Sequence, residues 1–143
     1  MRVENHSTVG LTSALEDYLE TIFELVRDHK LARVKDIVKA RNVRSASVIP
    51  ALRKLAELGL ITYVKREYID LTPEGEVAAR RIYARHRLLV RFFRDFLGMP
   101  DDLAISDACA MEHTLSDRGM DHMVRFFEFI ESCPEGREFI DRF

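Results

Sequence analysis

Residues 45–71, SASVIPALRKLAELGLITYVKREYIDL, decide the fold because they place a short helix directly before a pair of strands. Apolar residues recur at helical spacing in the first half, and Gly59 is the residue type that commonly follows the last turn of a helix. Leu60–Val64 and Tyr68–Leu71 are rich in β-branched and aromatic residues, which is typical of strands. The stretch therefore predicts a helix followed by a two-stranded hairpin, with residues 65–67 in the turn.

A second short helix is predicted immediately upstream. Lys35–Ala40 has helical spacing and ends near Asn42, and Ala32–Val34 is expected to be extended. Either Ser45 or Ser47 can cap the helix that follows. Two short helices joined by a tight turn and followed by a hairpin are typical of a winged helix-turn-helix, whose second helix enters the major groove of DNA.

Basic residues are concentrated in this part of the chain. The segment 30–66 holds ten Lys and Arg against two acids, a net charge of +8, which leaves −10 for the rest of a chain whose total is −2. This segment favours a polyanionic partner, and a solvated basic surface is the alternative on charge alone. The basic residues predicted to contact DNA are Arg33, Lys35, Arg44, Arg53, Lys54 and, in the hairpin turn, Lys65 and Arg66.

The first helix carries two acids on one face. Ser13 and Glu16 fit a capping box, which predicts a helix from about residue 14 to His29. Asp17 and Glu20 share a face near its start, where the helix dipole favours acids. Charge compensation at the N-terminus explains both acids when they are considered alone.

A long helix is predicted after the hairpin. Thr72 suits the N-cap and Pro73 the first helical position, and the apolar pattern continues to Gly98. His86 lies near the middle of this helix. A single His on such a helix is more often a structural or surface residue than a metal ligand.

Cys109-Ala110-Met111-Glu112-His113 gathers three potential metal ligands. Offsets of three and four residues lie on one helix face, so Cys109, Glu112 and His113 can present a thiolate, a carboxylate and an imidazole to one point. Ser106 is predicted to cap this short helix. For both Cys109 and Cys133, metal binding or plain burial is favoured over a disulfide in a reducing compartment.

The last long helix has more apolar bulk than one thin layer needs, and Ser116 is predicted to cap it. We interpret the excess as a subunit interface, with an intramolecular core as the alternative. One more short helical turn is expected in the tail that follows Cys133-Pro134. The apolar residues are Met120, Met123, Val124, Phe126, Phe127 and Ile130.

The composition limits the class of protein. A chain of 143 residues with 47% hydrophobic residues can form one domain or two small ones. No apolar run approaches the ~20 residues that span a bilayer, and the polar start does not resemble a signal peptide, so we expect a cytoplasmic protein without a membrane partner. A metallohydrolase is a possible alternative, but the sequence lacks a nucleophile elbow, a phosphate loop and a two-His helix motif. We therefore expect no enzyme.

The sequence resembles a family of metal-dependent transcriptional regulators that includes the diphtheria toxin repressor and the manganese transport regulator. The resemblance is carried by residues 16–22 (EDYLETI), 85–89 (RHRLL) and 109–116 (CAMEHTLS). It implies a mainly α fold, with an N-terminal winged helix-turn-helix in 1–72 and an all-helical dimerisation and metal-binding domain in 73–143. The chain is similar to the shorter, manganese-regulator type, without the SH3-like domain of other members.

The resemblance also implies a ligand set and a metal. Cysteine at position 109 is similar to the diphtheria repressor type, whereas the two acids of the first helix are similar to the manganese type. Val90 and Ile105 stand where a second iron-repressor site would need an acid and a histidine, so that site is not supported. We expect one ion per subunit, because Cys109 replaces the carboxylate that would bridge two ions in the manganese type. Fe(II) is favoured, Mn(II) comes next, and Zn(II) or Co(II) can bind in vitro. The ligands are Asp17, Glu20, His86, Cys109, Glu112 and His113.

The implied function is that of a homodimeric repressor that binds double-stranded operator DNA when loaded with metal and controls metal-uptake genes. Base contacts are expected from Arg44, Ser45, Ala46 and Ser47. Pro50 departs from the family pattern: it is tolerable if the helix begins at Ser47, whereas if the helix begins at Ser45 one backbone bond is absent or the helix is bent. A winged-helix regulator that ignores metals is the alternative.

Overall fold

The computed structural model describes residues 10–63 and 68–143. The chain divides into two compact units, one that ends at Tyr83 and one that runs from Ala84 to Phe143. Most of the described residues are helical, as predicted. The elements are α1 (Ser13–His29), α2 (Val34–Arg41), α3 (Ser45–Glu57), β1 (Ile61–Tyr63), β2 (Ile69–Leu71), α4 (Pro73–Arg91) with a π-helical turn at Phe92–Phe96, α5 (Asp101–Glu112), α6 (Asp117–Ser132) and α7 (Pro134–Asp141).

The first unit contains the predicted helix-turn-helix and hairpin. Strands β1 and β2 pair antiparallel with Ile61 opposite Leu71, and Ala32 adds an isolated bridge to Ile69. Residues 64–67, which include the predicted hairpin turn with Lys65 and Arg66, lie outside the described part. The helices and the hairpin share one core, because apolar side chains from each of them have no exposed surface. These side chains are Leu19, Ile22, Ile37, Val48, Leu52, Leu55 and Ile69.

Two of the predicted helix caps are wrong in this unit. The N-cap of α1 is Thr12, whose hydroxyl accepts the N–H of Leu15 at 3.3 Å, and Ser13 is already helical. Helix α3 begins at Ser45 after Arg44, and no side chain caps it. The segment that was expected to be extended is also shorter, since α2 begins at Val34.

Pro50 lies inside α3 because that helix begins at Ser45. The alternative left open by the sequence is therefore decided: Pro50 is past the first turn and cannot donate a backbone hydrogen bond to the carbonyl of Ala46. The end of the helix follows the prediction, with Leu58 as C-cap and Gly59 at φ +72°. The N–H of Leu60 donates to the carbonyl of Leu55 at 3.0 Å, which closes the last turn.

Helix α4 begins as predicted. The hydroxyl of Thr72 accepts the N–H of Gly75 at 3.0 Å and donates to the carbonyl of Gly59 at 2.6 Å, so one side chain joins the start of α4 to the end of α3. Regular α-helix stops at Arg91, earlier than predicted. A π-helical turn carries the chain to Leu97, and Gly98 ends it at φ +64°.

The second unit differs from the prediction at α5. This helix begins at Asp101, so Ser106 lies in its interior and does not cap it. The prediction for α6 is confirmed, since the hydroxyl of Ser116 accepts the N–H of Gly119 at 3.0 Å. The tail forms the eight-residue helix α7 and not a single turn. Leu89, Ala108 and Met120 form the buried core of the unit.

Candidate metal centre and DNA-binding surface

Three of the predicted ligands converge in the second unit. Atoms of His86 on α4 and of Cys109 and Glu112 on α5 lie within 4.8 Å of one another. Nδ1 of His86 is 2.9 Å from Oε2 of Glu112 and 3.8 Å from Sγ of Cys109. The i, i+3 spacing of Cys109 and Glu112 puts both side chains on the face of α5 that meets His86.

Glu112 is at the centre of this group. Only 3% of the residue is exposed, and a buried carboxylate is costly unless hydrogen bonds or cations satisfy it. Its Oε1 lies 3.2 Å from Nε2 of His113, but the geometry is not that of a hydrogen bond, so Oε1 has no hydrogen-bond partner among the described residues. A buried oxygen in this state is available to a cation.

The donor set fits a transition metal. Imidazole nitrogen, thiolate sulfur and carboxylate oxygen are the atoms by which proteins bind Fe(II), Mn(II), Co(II) and Zn(II). His113 is the C-cap residue of α5, and its side chain is 10% exposed. Cys109 is an exposed residue. Together with His113, the group thus combines a buried oxygen, two shielded imidazoles and the thiol of an exposed cysteine.

Asp17 and Glu20 belong to the first unit. Helix α1 begins at Ser13, so both acids lie beyond its first turn, where the dipole effect has fallen off. Charge compensation at the N-terminus therefore does not account for them. Glu20 is 9% exposed, and Oδ2 of Asp17 accepts a hydrogen bond from Nη2 of Arg41 on α2 at 3.0 Å.

Sequence reasoning missed two arginines beside the predicted ligands. Arg41 belongs to the basic segment by its charge, but it pairs with Asp17 and lies over the ring of Tyr18 at 5.6 Å. Arg85 belongs to the motif of residues 85–89, but its guanidinium binds two carbonyls and a carboxylate around Glu112 and His113. The adjacency of Arg85 to His86 was the only signal in the sequence.

Those predicted DNA contacts that the structure describes are exposed on the first unit. Arg33 and Arg44 occupy the N-cap positions of α2 and α3. The first three residues of α3 are exposed and do not contribute to the core. Lys54 is also within 3.5 Å of Glu57. Eight of the predicted residues are described and exposed, namely Arg33, Lys35, Arg44, Ser45, Ala46, Ser47, Arg53 and Lys54.

A helix-turn-helix with a paired hairpin and an exposed basic face defines a winged-helix DNA-binding protein, and the His, Cys and Glu group adds a candidate metal centre to it. None of the described helices is long and apolar enough to cross a membrane.

Family models agree with this class. The model of the iron dependent repressor N-terminal DNA binding domain matches residues 10–68, and that of the iron dependent repressor metal binding and dimerisation domain matches residues 72–141. The chain belongs to the iron-dependent repressor family. The predicted resemblance and fold class are confirmed, and the protein is a transcriptional regulator and not an enzyme.

Known relatives support the same conclusion. The HTH-type transcriptional regulator MntR of Lysinibacillus sphaericus is 33% identical over 124 residues, which are 87% of this chain and 88% of that protein. The structure of T. acidophilum IdeR matches with a TM-score of 0.70 and 28% identity over 79% of this chain. A manganese-dependent transcriptional repressor in complex with manganese matches with a TM-score of 0.73 and 30% identity over 80% of this chain. The chain covers 53% of each of these two solved chains.

Proposed function

We propose that this protein is a metal-activated repressor that binds double-stranded operator DNA as a homodimer when a divalent transition metal is bound. The observation that carries the proposal is the convergence of His86, Cys109 and Glu112 within 4.8 Å in a family of metal-dependent regulators. The metal-bound protein would repress the transcription of metal-uptake genes.

The proposed ligands are the six predicted ones. Within the second unit, the geometry around Glu112 supports His86, Cys109, Glu112 and His113. Asp17 and Glu20 come from the first unit, and their place in the set rests on the motif of residues 16–22. The bound ion would supply the positive charge that offsets the carboxylates and the thiolate.

The choice of metal follows from the mixed donors. Carboxylates suit Mn(II) and Fe(II), and the thiolate of Cys109 shifts the preference toward Fe(II), Co(II) or Zn(II). We favour Fe(II), place Mn(II) second because relatives include MntR and a manganese-bound repressor, and expect Zn(II) or Co(II) binding in vitro. One ion per subunit is proposed, since a bridging carboxylate is absent at position 109.

Arg44, Ser45, Ala46 and Ser47 at the start of α3 are proposed to contact bases. Arg33, Lys35, Arg53 and Lys54 are proposed to contact phosphates, which fix the register but not the sequence. Lys65 and Arg66 are proposed to do the same from the hairpin. In a homodimer the two recognition helices would read half-sites about 34 Å or a multiple apart.

The proposed division into domains falls between residues 72 and 73. It assigns the hairpin to the DNA-binding domain and α4 to the metal-binding domain.

Operator titration tests the proposal. Protein purified without oxygen would be analysed for metal and then titrated onto DNA with chelator, Fe(II), Mn(II), Zn(II) or Co(II). Metal should raise DNA affinity about 5- to 150-fold, the usual range of allosteric coupling.

His113→Ala should abolish this stimulation, and His122→Ala, which changes an exposed histidine on α6, should not. If DNA binding is the same with chelator and with metal, the protein is instead a winged-helix regulator that ignores metals.

A further inference from the structure

Arg85 joins the end of α5 to the start of α6. Its Nη2 donates to the carbonyl of Glu112 at 2.9 Å and to that of Leu115 at 2.6 Å, and its Nη1 donates to Oδ1 of Asp117 at 2.9 Å. The side chain is 19% exposed. Its Nε has no hydrogen-bond partner in the part of the chain that the structure describes. All of these hydrogen bonds of the guanidinium go to residues 112–117, where α5 ends and α6 begins.

These contacts lie on both sides of a predicted ligand. The last carbonyls of a helix have no partner within the helix, and a cation or donor that binds them holds the last turn in place. His113 lies between Glu112 and Leu115, whose carbonyls share one nitrogen of Arg85. The backbone that carries the His113 ring is therefore fixed by Arg85 from both directions.

Two consecutive residues of α4 hold Glu112 by different groups. His86 contacts its carboxylate at 2.9 Å, and Arg85 contacts its carbonyl at the same distance. Both the side chain and the main chain of Glu112 therefore contact α4. Glu112 is thus held once at its carboxylate and once at its backbone, which limits the positions that the carboxylate can take.

We infer that Arg85 is a positioning residue that arranges Glu112 and His113 for metal binding. The inference rests on the proposed function, since it assumes that these two residues bind the metal. Outer groups that orient metal ligands typically change metal affinity by about 10- to 100-fold when they are removed. Arg85 is proposed to act in this way through the backbone of α5.

The sign of the effect separates positioning from plain electrostatics. Arg85 is a cation near a cation site, so simple Coulomb repulsion predicts that its removal strengthens metal binding. Positioning predicts that removal weakens metal binding. Lysine keeps the charge but lacks the planar fork that reaches three acceptors, so Arg85→Lys should also weaken binding if geometry is the cause.

Co(II) titration of the full-length protein is the test, because the visible absorption of Co(II) reports its coordination. Wild type, Arg85→Gln, Arg85→Lys and Arg118→Gln would be compared, the last being an exposed arginine on α6 that receives the same change. Asp117→Asn adds a variant that removes one ion pair and leaves both carbonyl contacts. Far-ultraviolet circular dichroism without metal would show that each variant is folded.

Both Arg85 variants should bind Co(II) about 10- to 100-fold more weakly with an altered spectrum, whereas Arg118→Gln should match the wild type and Asp117→Asn should lose no more than about threefold. Unchanged or tighter binding by folded Arg85→Gln overturns the inference and leaves the proposed function standing. If Arg85→Gln fails to fold, Arg85→Lys decides by the same criterion. No Co(II) binding by the wild type overturns the proposed function itself.

Discussion

Glu112 is the residue on which the candidate centre depends. Its carboxylate is almost fully buried. One carboxylate oxygen contacts Nδ1 of His86, and the other has no hydrogen bond among the described residues. Burying a carboxylate in this state is costly for the metal-free protein. The proposed metal would offset that cost by binding the carboxylate.

Glu112→Gln should separate these two roles. The variant keeps the shape and removes the charge, so the metal-free protein should be as stable as the wild type or more stable. Metal at 100 times its dissociation constant adds about 2.7 kcal/mol to the wild type, and this gain should be lost. Urea unfolding with and without Mn(II) measures both quantities. A variant that keeps the full gain would exclude Glu112 as a ligand.

Arg41 places a second cation beside a proposed ligand. Because it pairs with Asp17 at 3.0 Å, a metal that binds Asp17 must compete with it. Arg41→Met should raise metal affinity by up to about fivefold, since partly exposed ion pairs are worth ~0–1 kcal/mol. Isothermal titration calorimetry with Mn(II) measures the change. Arg27→Met is the control, because it breaks a pair with Asp28 on the same helix and touches no proposed ligand.

At the scale of elements, the joint between α3 and α4 depends on a glycine. A Cβ on Gly75 would lie 1.7 Å from the carbonyl oxygen of Leu60, and that oxygen belongs to the backbone and cannot turn aside. Gly75→Ala should lower the free energy of unfolding by about 1–3 kcal/mol through overpacking.

Gly119→Ala is the matched control, because Gly119 is likewise the third residue of its helix and donates to a capping hydroxyl. Its added Cβ would meet only side-chain atoms, at 3.1 Å or more. Chemical denaturation compares the two variants. Equal losses at Gly75 and Gly119 would show that the close approach to Leu60 is not the cause.

Pro50 weakens helix α3. A proline inside a helix costs about 3 kcal/mol relative to alanine, so Pro50→Ala should stabilise the first unit by about 1–3 kcal/mol. Pro134→Ala should have little effect, because Pro134 is the first residue of α7, where no N–H is needed. Thermal unfolding followed by circular dichroism tests both. A Pro50→Ala protein no more stable than the wild type would contradict this account.

At the scale of the whole molecule, the second unit exposes large apolar side chains. Val124 is 36%, Phe126 50% and Phe129 61% exposed on α6, and Phe139 is 71% exposed on α7. Exposed apolar area of this kind favours a subunit interface, as the sequence predicted for α6. The alternative of a purely intramolecular core holds for Met120 and Phe127, which are buried.

Phe126→Glu should therefore weaken the proposed homodimer. The half-exposed ring contacts Phe96 and Phe127, and a carboxylate at an apolar interface loses its hydration without gaining a partner. Sedimentation equilibrium should show at least a tenfold rise in the dimer dissociation constant, about 1.4 kcal/mol. His122→Glu, which places the same charge at an exposed polar position of α6, is the control. A dimer unaffected by Phe126→Glu would move the interface to another face.

Local patterns predicted the order of elements because helix and strand periodicity, Gly59 and the Thr72-Pro73 start act over a few residues. They failed at two helix starts: Thr12 caps α1 although Ser13 is also a capping type, and α3 begins after Arg44 without a side-chain cap although Ser45 and Ser47 both precede an apolar run. Only the packed chain decides which residue leaves the helical conformation. The early end of regular helix at Arg91 had no local signal either, since the apolar pattern continues through Phe96.

Residue patterns along the chain are enough to predict the winged-helix order, the basic character of its exposed face and the spacing that puts Cys109 and Glu112 on one side of α5. Tertiary structure decided that His86 meets them, since it lies 23 and 26 residues away and no periodicity connects such distant positions. It also decided that Arg85 holds the end of α5, through contacts 27 to 32 residues apart. The physical reason is that helical periodicity fixes faces, whereas burial of apolar surface fixes which faces meet.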